Sequence, residues 1–297
     1  MAQHNSATYR IIGAIVVVII VGIAAWWYFS HVPGVDFSRH GPAPSAPAHA
    51  STAPPPIEHP ISEAQTGPAP ASSVPLPALD ASDNALVKAL ADIPGASGLA
   101  NLLIARGLAP HIVATVDALP RHEIGESILP MKTPSGTFKV DENGGQPEIA
   151  AGNYARYDAY MKIVENVNPR TLVTWYVHWY PLFQQAYRQL GYPNGYFNDR
   201  LIQAIDNMLA APNVQQPPRL VKMSDGHYAF ADPTWEALSV GQKLMIRIGP
   251  DHERALKSKL RAIRALLLGQ APRLRASGSA QPAPSAPTHA APAAASS

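Results

Sequence analysis

The sequence predicts a mainly α protein in three parts: a single N-terminal transmembrane helix, a disordered Pro/Ala-rich tether, and one helical globular domain with a small β-hairpin. Three observations carry that expectation. Residues 11–29 (IIGAIVVVIIVGIAAWWYF) hold no charge, no Pro and no amide. Residues 32–79 are dominated by Pro, Ala and Ser. Residues 80–269 return to a mixed composition with apolar positions at helical spacing.

At about 1.5 Å per residue, the 11–29 run makes a helix of roughly 28 Å, about one hydrocarbon core. It ends in Trp26, Trp27 and Tyr28, whose rings combine apolar bodies with polar tips suited to the headgroup level. A cleaved signal peptide fits less well, because bulky Trp residues follow Ala24-Ala25 and no small-x-small site ends the run. A lipoprotein anchor is excluded, since the chain has no Cys. Residues 1–10 carry Arg10 and the free amine, whereas Asp36 offsets Arg39 on the distal side. The positive-inside bias therefore places residues 1–10 in the cytoplasm and the head beyond the membrane.

Twelve prolines punctuate 32–79, including Pro54-Pro55-Pro56. Such a tract buries too little apolar surface to offset its ordering entropy. Stretched at about 3.1 Å per residue, it would reach on the order of 150 Å. No Arg flanks the triple proline to orient it as a ligand for a partner groove, so the tract reads as a spacer. Residues 270–297 repeat the composition and read as a disordered tail.

The head, 80–269, is long enough for one well-cored domain or two small ones, and its periodicity reads as one α-dominated domain. Ser82 or Asp83 is placed to cap a first helix carrying Leu86, Val87 and Leu90, closed by Pro94-Gly95. Leu99, Leu102 and Leu103 mark a second, ended by Gly107. Ile112, Val113, Val116 and Leu119 mark a third, closed by Pro120. Residues 121–152 read as an irregular excursion with one strand at 137–140. Helices resume near Tyr154, and Pro181 is expected to kink or split the long segment after Pro169. Gly191 is placed to close that segment, and Asn198 or Asp199 to cap the next helix. Residues 219–222 and 227–230, joined through Ser224-Asp225-Gly226, predict a hairpin. Asp232-Pro233 opens a helix through Trp235 and Leu238, and a last helix runs from His252 to Leu268 with Asp251 as its cap.

Three phrases in the head resemble a bacterial family of unknown function, number 3014. They are NYARYDAYM at 153–161, YPLFQQAYRQLGYPNGYFNDRLIQAIDNMLAAP at 180–212, and YAFADPTWEALSVGQKLMIRIGPDH at 228–252. His252 departs from the pattern, where Asn is more usual. The resemblance implies a membrane-anchored envelope protein of Gram-negative bacteria, and it assigns no catalytic residues.

Direct inspection finds no phosphate-binding Gly-rich loop, dinucleotide fingerprint or nucleophile elbow. His122-Glu123 and His252-Glu253 begin like zinc-protease helices, but Glu126 and Leu256 stand where the second His is needed. His111, His178 and His227 are isolated in sequence. No cofactor or metal is expected. Net charge is only +2, too mild to suggest a nucleic-acid partner.

Two constellations point to binding. Aromatic residues crowd 154–197. Tyr154, Tyr157 and Tyr160 recur every three positions, and Trp175, Trp179 and Phe183 every four. They read as core, with nearby Arg156, Asp158, Asp199 and Asp206 as hydroxyl partners. The alternative is a groove in which Tyr157, Trp175, Trp179 and Tyr192 stack on sugars or on a partner's apolar residues. The second constellation is basic: Arg254, Lys257, Arg261 and Arg264 share one side of the last helix, opposite Leu256, Leu260, Ile263 and Leu267. That face suits an anionic surface such as lipid headgroups. The expected function is an inner-membrane-anchored periplasmic interaction or scaffold module. Its expected partners are the bilayer, through 11–29, and an envelope protein or glycan. The alternative is a tethered enzyme acting on an envelope polymer, with Asp199, Asp206 and His178 as its candidate acids or bases.

Overall fold

The computed structural model describes residues 55–67, 75–123, 128–142, 145–224 and 226–271. The expected N-terminus 1–10, membrane helix 11–29, first part of the tether, 32–54, and tail beyond residue 271 lie outside the described residues. Among the described residues, no helix is long and apolar enough to cross a membrane.

Nine α-helices are present among the described residues: α1 Asp83–Ala91, α2 Leu99–Leu102, α3 Leu108–Ala118, α4 Asp158–Asn166, α5 Pro169–Gln189, α6 Phe197–Leu209, α7 Pro233–Glu236, α8 Val240–Arg247 and α9 Pro250–Leu267. The expected apolar stripes face inward. Leu86 and Leu90 of α1 are fully buried, as is Leu260 of α9, and Leu256, Ile263 and Leu267 are nearly so. Helix α5 lies at the centre, packing against α3, α6 and α9. Its buried face carries Trp175, Trp179 and Phe183, with Trp175 ring centroids 6.1 Å from Trp179 and 5.7 Å from Phe183.

The β structure exceeds one hairpin. Strands β3 Leu220–Lys222 and β4 Tyr228–Phe230 pair antiparallel as expected, with Lys222 opposite Tyr228. Gly226 turns the chain at φ 90°, where its N–H donates to the Met223 carbonyl at 3.0 Å. A second antiparallel pair joins β1 Val140–Asp141 to β2 Glu148–Ile149, displaced from the strand expected at 137–140. A bridge between Glu148 and Arg219 sets the two pairs edge to edge. Behind them, Ile149, Val214, Leu220, Phe230 and Ile246 form a small separate core.

Several local expectations are corrected. Pro181 does not split α5, which runs unbroken through it. The ring is exposed while Trp179, Leu182 and Phe183 beside it are buried, so packing on the inner side holds the two halves together. Gly107 does not end α2, which stops at Leu102. Leu103 then pairs with Met131. Ser82 stands at the start of α1 but donates its hydroxyl to the Leu79 carbonyl at 2.7 Å. Asp83 instead caps α3 from a distance, accepting from the N–H groups of Gly107 at 2.7 Å and Leu108 at 2.8 Å. Gly249, not Asp251, is the N-cap of α9. A Cβ there would fall 2.6 Å from the Tyr154 ring. The spacing of three between Tyr154 and Tyr157 belongs to a 3-10 helix, Ala151–Tyr157, whose period is three.

The tether expected to stay free up to Leu79 is partly built into the head. Residues 55–67 cross α6, α9 and α5 as a strap. Asp199 accepts from the N–H of Glu58 at 3.3 Å and of His59 at 2.7 Å, and Asn198 Nδ2 donates to the His59 carbonyl at 2.8 Å. The N–H of Gln65 reaches the Leu266 carbonyl at 2.8 Å, and that of Gly67 reaches Thr174 Oγ1 at 2.7 Å. Ile61, Ala64 and Leu76 pack against the main core. Asn198 and Asp199 therefore serve the strap, while Tyr196 holds the N-cap position of α6 without a side-chain bond.

Because the Trp179 ring lies within the main core, Trp179→Ala is expected to cost about 3–5 kcal/mol. Chemical denaturation of a chain beginning at Pro55 checks this. A loss below 1 kcal/mol would show that the ring adds little to packing.

Candidate functional site

The strongest site is a groove along the first half of α9. This helix starts at Pro250, carries Asp251 and Glu253 in its first turn, and presents basic residues thereafter. Arg254, Lys257 and Arg261 recur at i, i+3 and i+7, which keeps them on one side of the helix. The segment leaving α6 passes alongside, contributing Asn213 and Gln215. With Pro250, Glu253, Arg254, Lys257 and Arg261 they line a cavity of about 260 Å³.

The three cations differ in role. Lys257 is 4% exposed, and its Nζ meets the Ala211 carbonyl at 2.5 Å, Asn213 Oδ1 at 2.7 Å and Glu253 Oε1 at 2.7 Å. Two of its three N–H donors go to the Ala211 carbonyl and Asn213, and Glu253 stands beside it as the paired carboxylate. Lys257 thus forms the wall of the groove and ties α9 to the segment after α6. Arg254 is exposed, in a solvent-screened pair with Asp251 at 3.0 Å. Arg261 is exposed and lines the cavity on its solvent side. Arg264 lies outside the cavity, bonded through Nε and a terminal nitrogen to both oxygens of Asp206. The Asp206 bond raises the guanidinium's pKa.

The aromatic candidates are not brought to one open surface. Trp175 and Trp179 are buried, at 6% and 7% exposure. From Trp175 the rings run through Phe183, Phe197 and Tyr187 to Tyr192, which stacks on Tyr187 at 4.5 Å. The Tyr192 hydroxyl meets Arg121 and, at 3.3 Å, Asp117, the carboxylate that also holds Arg200. Tyr157 stands elsewhere, at the start of α4, where burial raises its pKa. Tyrosine hydroxyls also find other partners than the nearby charges. Tyr160 donates to the Lys132 carbonyl at 3.0 Å, Tyr176 to Asn198 at 3.2 Å, and Tyr180 to Gln184 at 2.8 Å. Burial pushes Tyr180 up to about 12.

Asp199, Asp206 and His178, the candidate acids or bases, are spread over separate contacts. Asp199 holds the strap, Asp206 holds Arg264, and the His178 ring lies edge-on to Trp179 at 5.4 Å. A second cavity of about 580 Å³ opens where α1, α3 and α5 meet, lined by Asp80, Asp83, Arg106, Gln185 and Gln189. Nearby, burial lowers the pKa of His111, with Asp83 opposing that shift. Among the described residues, no group of three His, Asp or Glu is placed to hold a metal ion. The inward turn of Lys257 escaped sequence reasoning, because its acceptors are a carbonyl and an amide more than forty residues away.

The different roles of Lys257 and Arg261 can be separated. Lys257→Ala strands Glu253, 3% exposed, without its cation and is expected to cost about 3–5 kcal/mol. Adding Glu253→Leu to Lys257→Met should recover most of that loss. Arg261→Ala should stay within about 0.5 kcal/mol of the parent. Equal losses in urea for Lys257→Ala and Arg261→Ala would refute this division.

A family model described as protein of unknown function (DUF3014) matches residues 108–264. No curated protein and no solved structure matches the chain. The matched span covers more than half of the sequence, from the start of α3 to Arg264, and includes the whole α9 groove. The chain therefore belongs to the DUF3014 family.

Proposed function

We propose that the chain is a non-catalytic interaction module, held at the bacterial inner membrane by residues 11–29 with its head in the periplasm. Its α9 groove receives an anionic group, phosphate or carboxylate, of an envelope partner. The observation that carries this reading is the placement of Arg254 and Arg261 about the cavity whose polar wall is Lys257, Asn213 and Gln215. Guanidinium groups suit oxyanions because their fixed N–H fork matches two acceptor oxygens. With the Lys257 charge buried and paired to Glu253, the two arginines supply the recognition and the lysine supplies its frame. Elsewhere, the carboxylates Asp83, Asp117, Asp199 and Asp206 hold helices, arginines or the strap, which is the work of a scaffold.

Lipid headgroups provide the first probe. Near an anionic surface each basic residue contributes about 1 kcal/mol, so Arg254→Gln with Arg261→Gln should weaken binding by about 2 kcal/mol, roughly thirtyfold. Flotation of a chain beginning at Pro55 with phosphatidylglycerol vesicles reads this, with phosphatidylcholine vesicles as control. Equal binding by parent and double variant would remove the groove from the proposal. A second measurement addresses location: a reporter active only in the periplasm, fused after Gly269, should be active. Activity of a cytoplasmic reporter alone would overturn the orientation.

A further inference from the structure

The strap is held in an unusual way for a segment so rich in side-chain variety. Among the described residues, five of its six polar contacts with the head use strap main-chain atoms: the N–H groups of Glu58, His59, Gln65 and Gly67, and the carbonyl of His59. The sixth is Gln65 Nε2 donating to the Gly269 carbonyl at 2.6 Å. At the centre, one carboxylate takes two successive N–H groups while the neighbouring amide returns a proton to the carbonyl of the second residue. Asp199 and Asn198 thus clasp His59 from both sides of its backbone. The amide of the clasp is held from the core side. Asn198 is 1% exposed, and the Tyr176 hydroxyl, itself fully inside the ring cluster, donates to its Oδ1 at 3.2 Å and leaves Nδ2 facing the strap.

Burial holds the strap only lightly. Ile57 is 45% exposed, none of the residues in its short helix Ile61–Glu63 is buried, and Ile61 and Ala64 are only partly covered. A segment with few buried contacts opens at far lower free energy than the core beneath it. The head therefore reads an extended backbone, with Pro60 at φ −60° and ψ 130°, more than it reads particular side chains. Main-chain recognition of this kind accepts any segment that can take the same shape.

We propose that Asn198 and Asp199 form a peptide-binding site, that residues 55–67 are its resident occupant, and that an extended, Pro-containing segment of a partner protein replaces them. The strap presents two consecutive N–H groups, a carbonyl, a proline that needs no donor, and then an apolar residue resting on the core. A partner segment needs the same order. This inference rests on the head being an interaction module and names the class of partner for a surface separate from the α9 groove.

The test uses the full chain in detergent and a fluorescent synthetic peptide of residues 55–67. His59→Pro removes the N–H that meets Asp199 at 2.7 Å and unseats the resident strap without touching the head. This variant should capture the peptide at least tenfold more tightly than the parent, whose site is filled. Adding Asp199→Ala, or placing Pro at the His59 position of the peptide, should abolish the gain. Equal capture by parent and His59→Pro chains, or capture insensitive to the change in the peptide, overturns the proposal. Amide exchange in the parent gives an independent reading. The N–H groups of Glu58, His59, Gln65 and Gly67 should exchange at least tenfold faster than those of Leu182 and Phe183. Exchange of all six at one common rate would show a strap that never leaves, and the proposal would fall. Vesicle binding is read in parallel samples: peptide capture without vesicle binding sinks only the groove assignment, and the reverse sinks only this one.

Discussion

The head depends on a crowded line of rings along one face of α5. Phe183 has none of its surface exposed and touches Trp175, Tyr176 and Phe197, so it ties α5 to the start of α6. Each such aromatic pair adds about 0.5–1.5 kcal/mol to what burial alone provides. The consequences spread outward in order. With the rings in place, Gln184 accepts from the Phe197 N–H at 2.9 Å and donates to the Gly195 carbonyl at 2.7 Å, which fixes the turn between α5 and α6. Tyr176 then orients Asn198, and Asn198 with Asp199 seats the strap. One packed stripe thus determines the geometry of a surface several contacts away.

A second theme is that helix ends are satisfied across the fold as well as by neighbours in sequence. Asp83 caps α3 from α1, and Gln184 reaches the first N–H of α6 from α5. Lys259 of α9 donates to the carbonyls of Glu165 and Val167 at the end of α4, at 3.1 and 2.5 Å. Unpaired helix termini carry partial charge, so a side chain of opposite sign brought there by packing stabilises both elements at once. Among the carboxylates, Asp83 is committed to this task, Asp199 to the strap and Asp206 to Arg264.

This division explains what the sequence made legible. Stripes of period near four, as at Leu256, Leu260, Ile263 and Leu267, announce both an element and its inward face. The turn around Gly226 and the Asp232-Pro233 start of α7 are equally local, with Asp232 accepting from the Thr234 N–H at 2.8 Å as the pairing implies. Helix α8 carried a local signal too. Ser239 and Gln242 form a capping box, but the segment between α7 and α9 was too short to stand out. The strap, the distant caps and the burial of Lys257 depend on partners 13 to 204 residues away, for which spacing offers no cue. The same holds for the groove. Its basic face was readable, but the sorting of its cations into wall and solvent side required Ala211 and Asn213 to be in place.

The strap also changes how far the head can travel. Had the whole tract up to Leu79 been free, a head anchored through residues 11–29 would roam up to about 150 Å from the bilayer. With residues 55–67 fastened to α6 and α9, only the 25 residues 30–54 would separate such an anchor from the head, or about 80 Å at full stretch. The volume searched from a fixed point falls roughly as the cube of that radius. Fastening the strap would therefore concentrate the head several-fold among near neighbours, and loosening it would trade that concentration for distance.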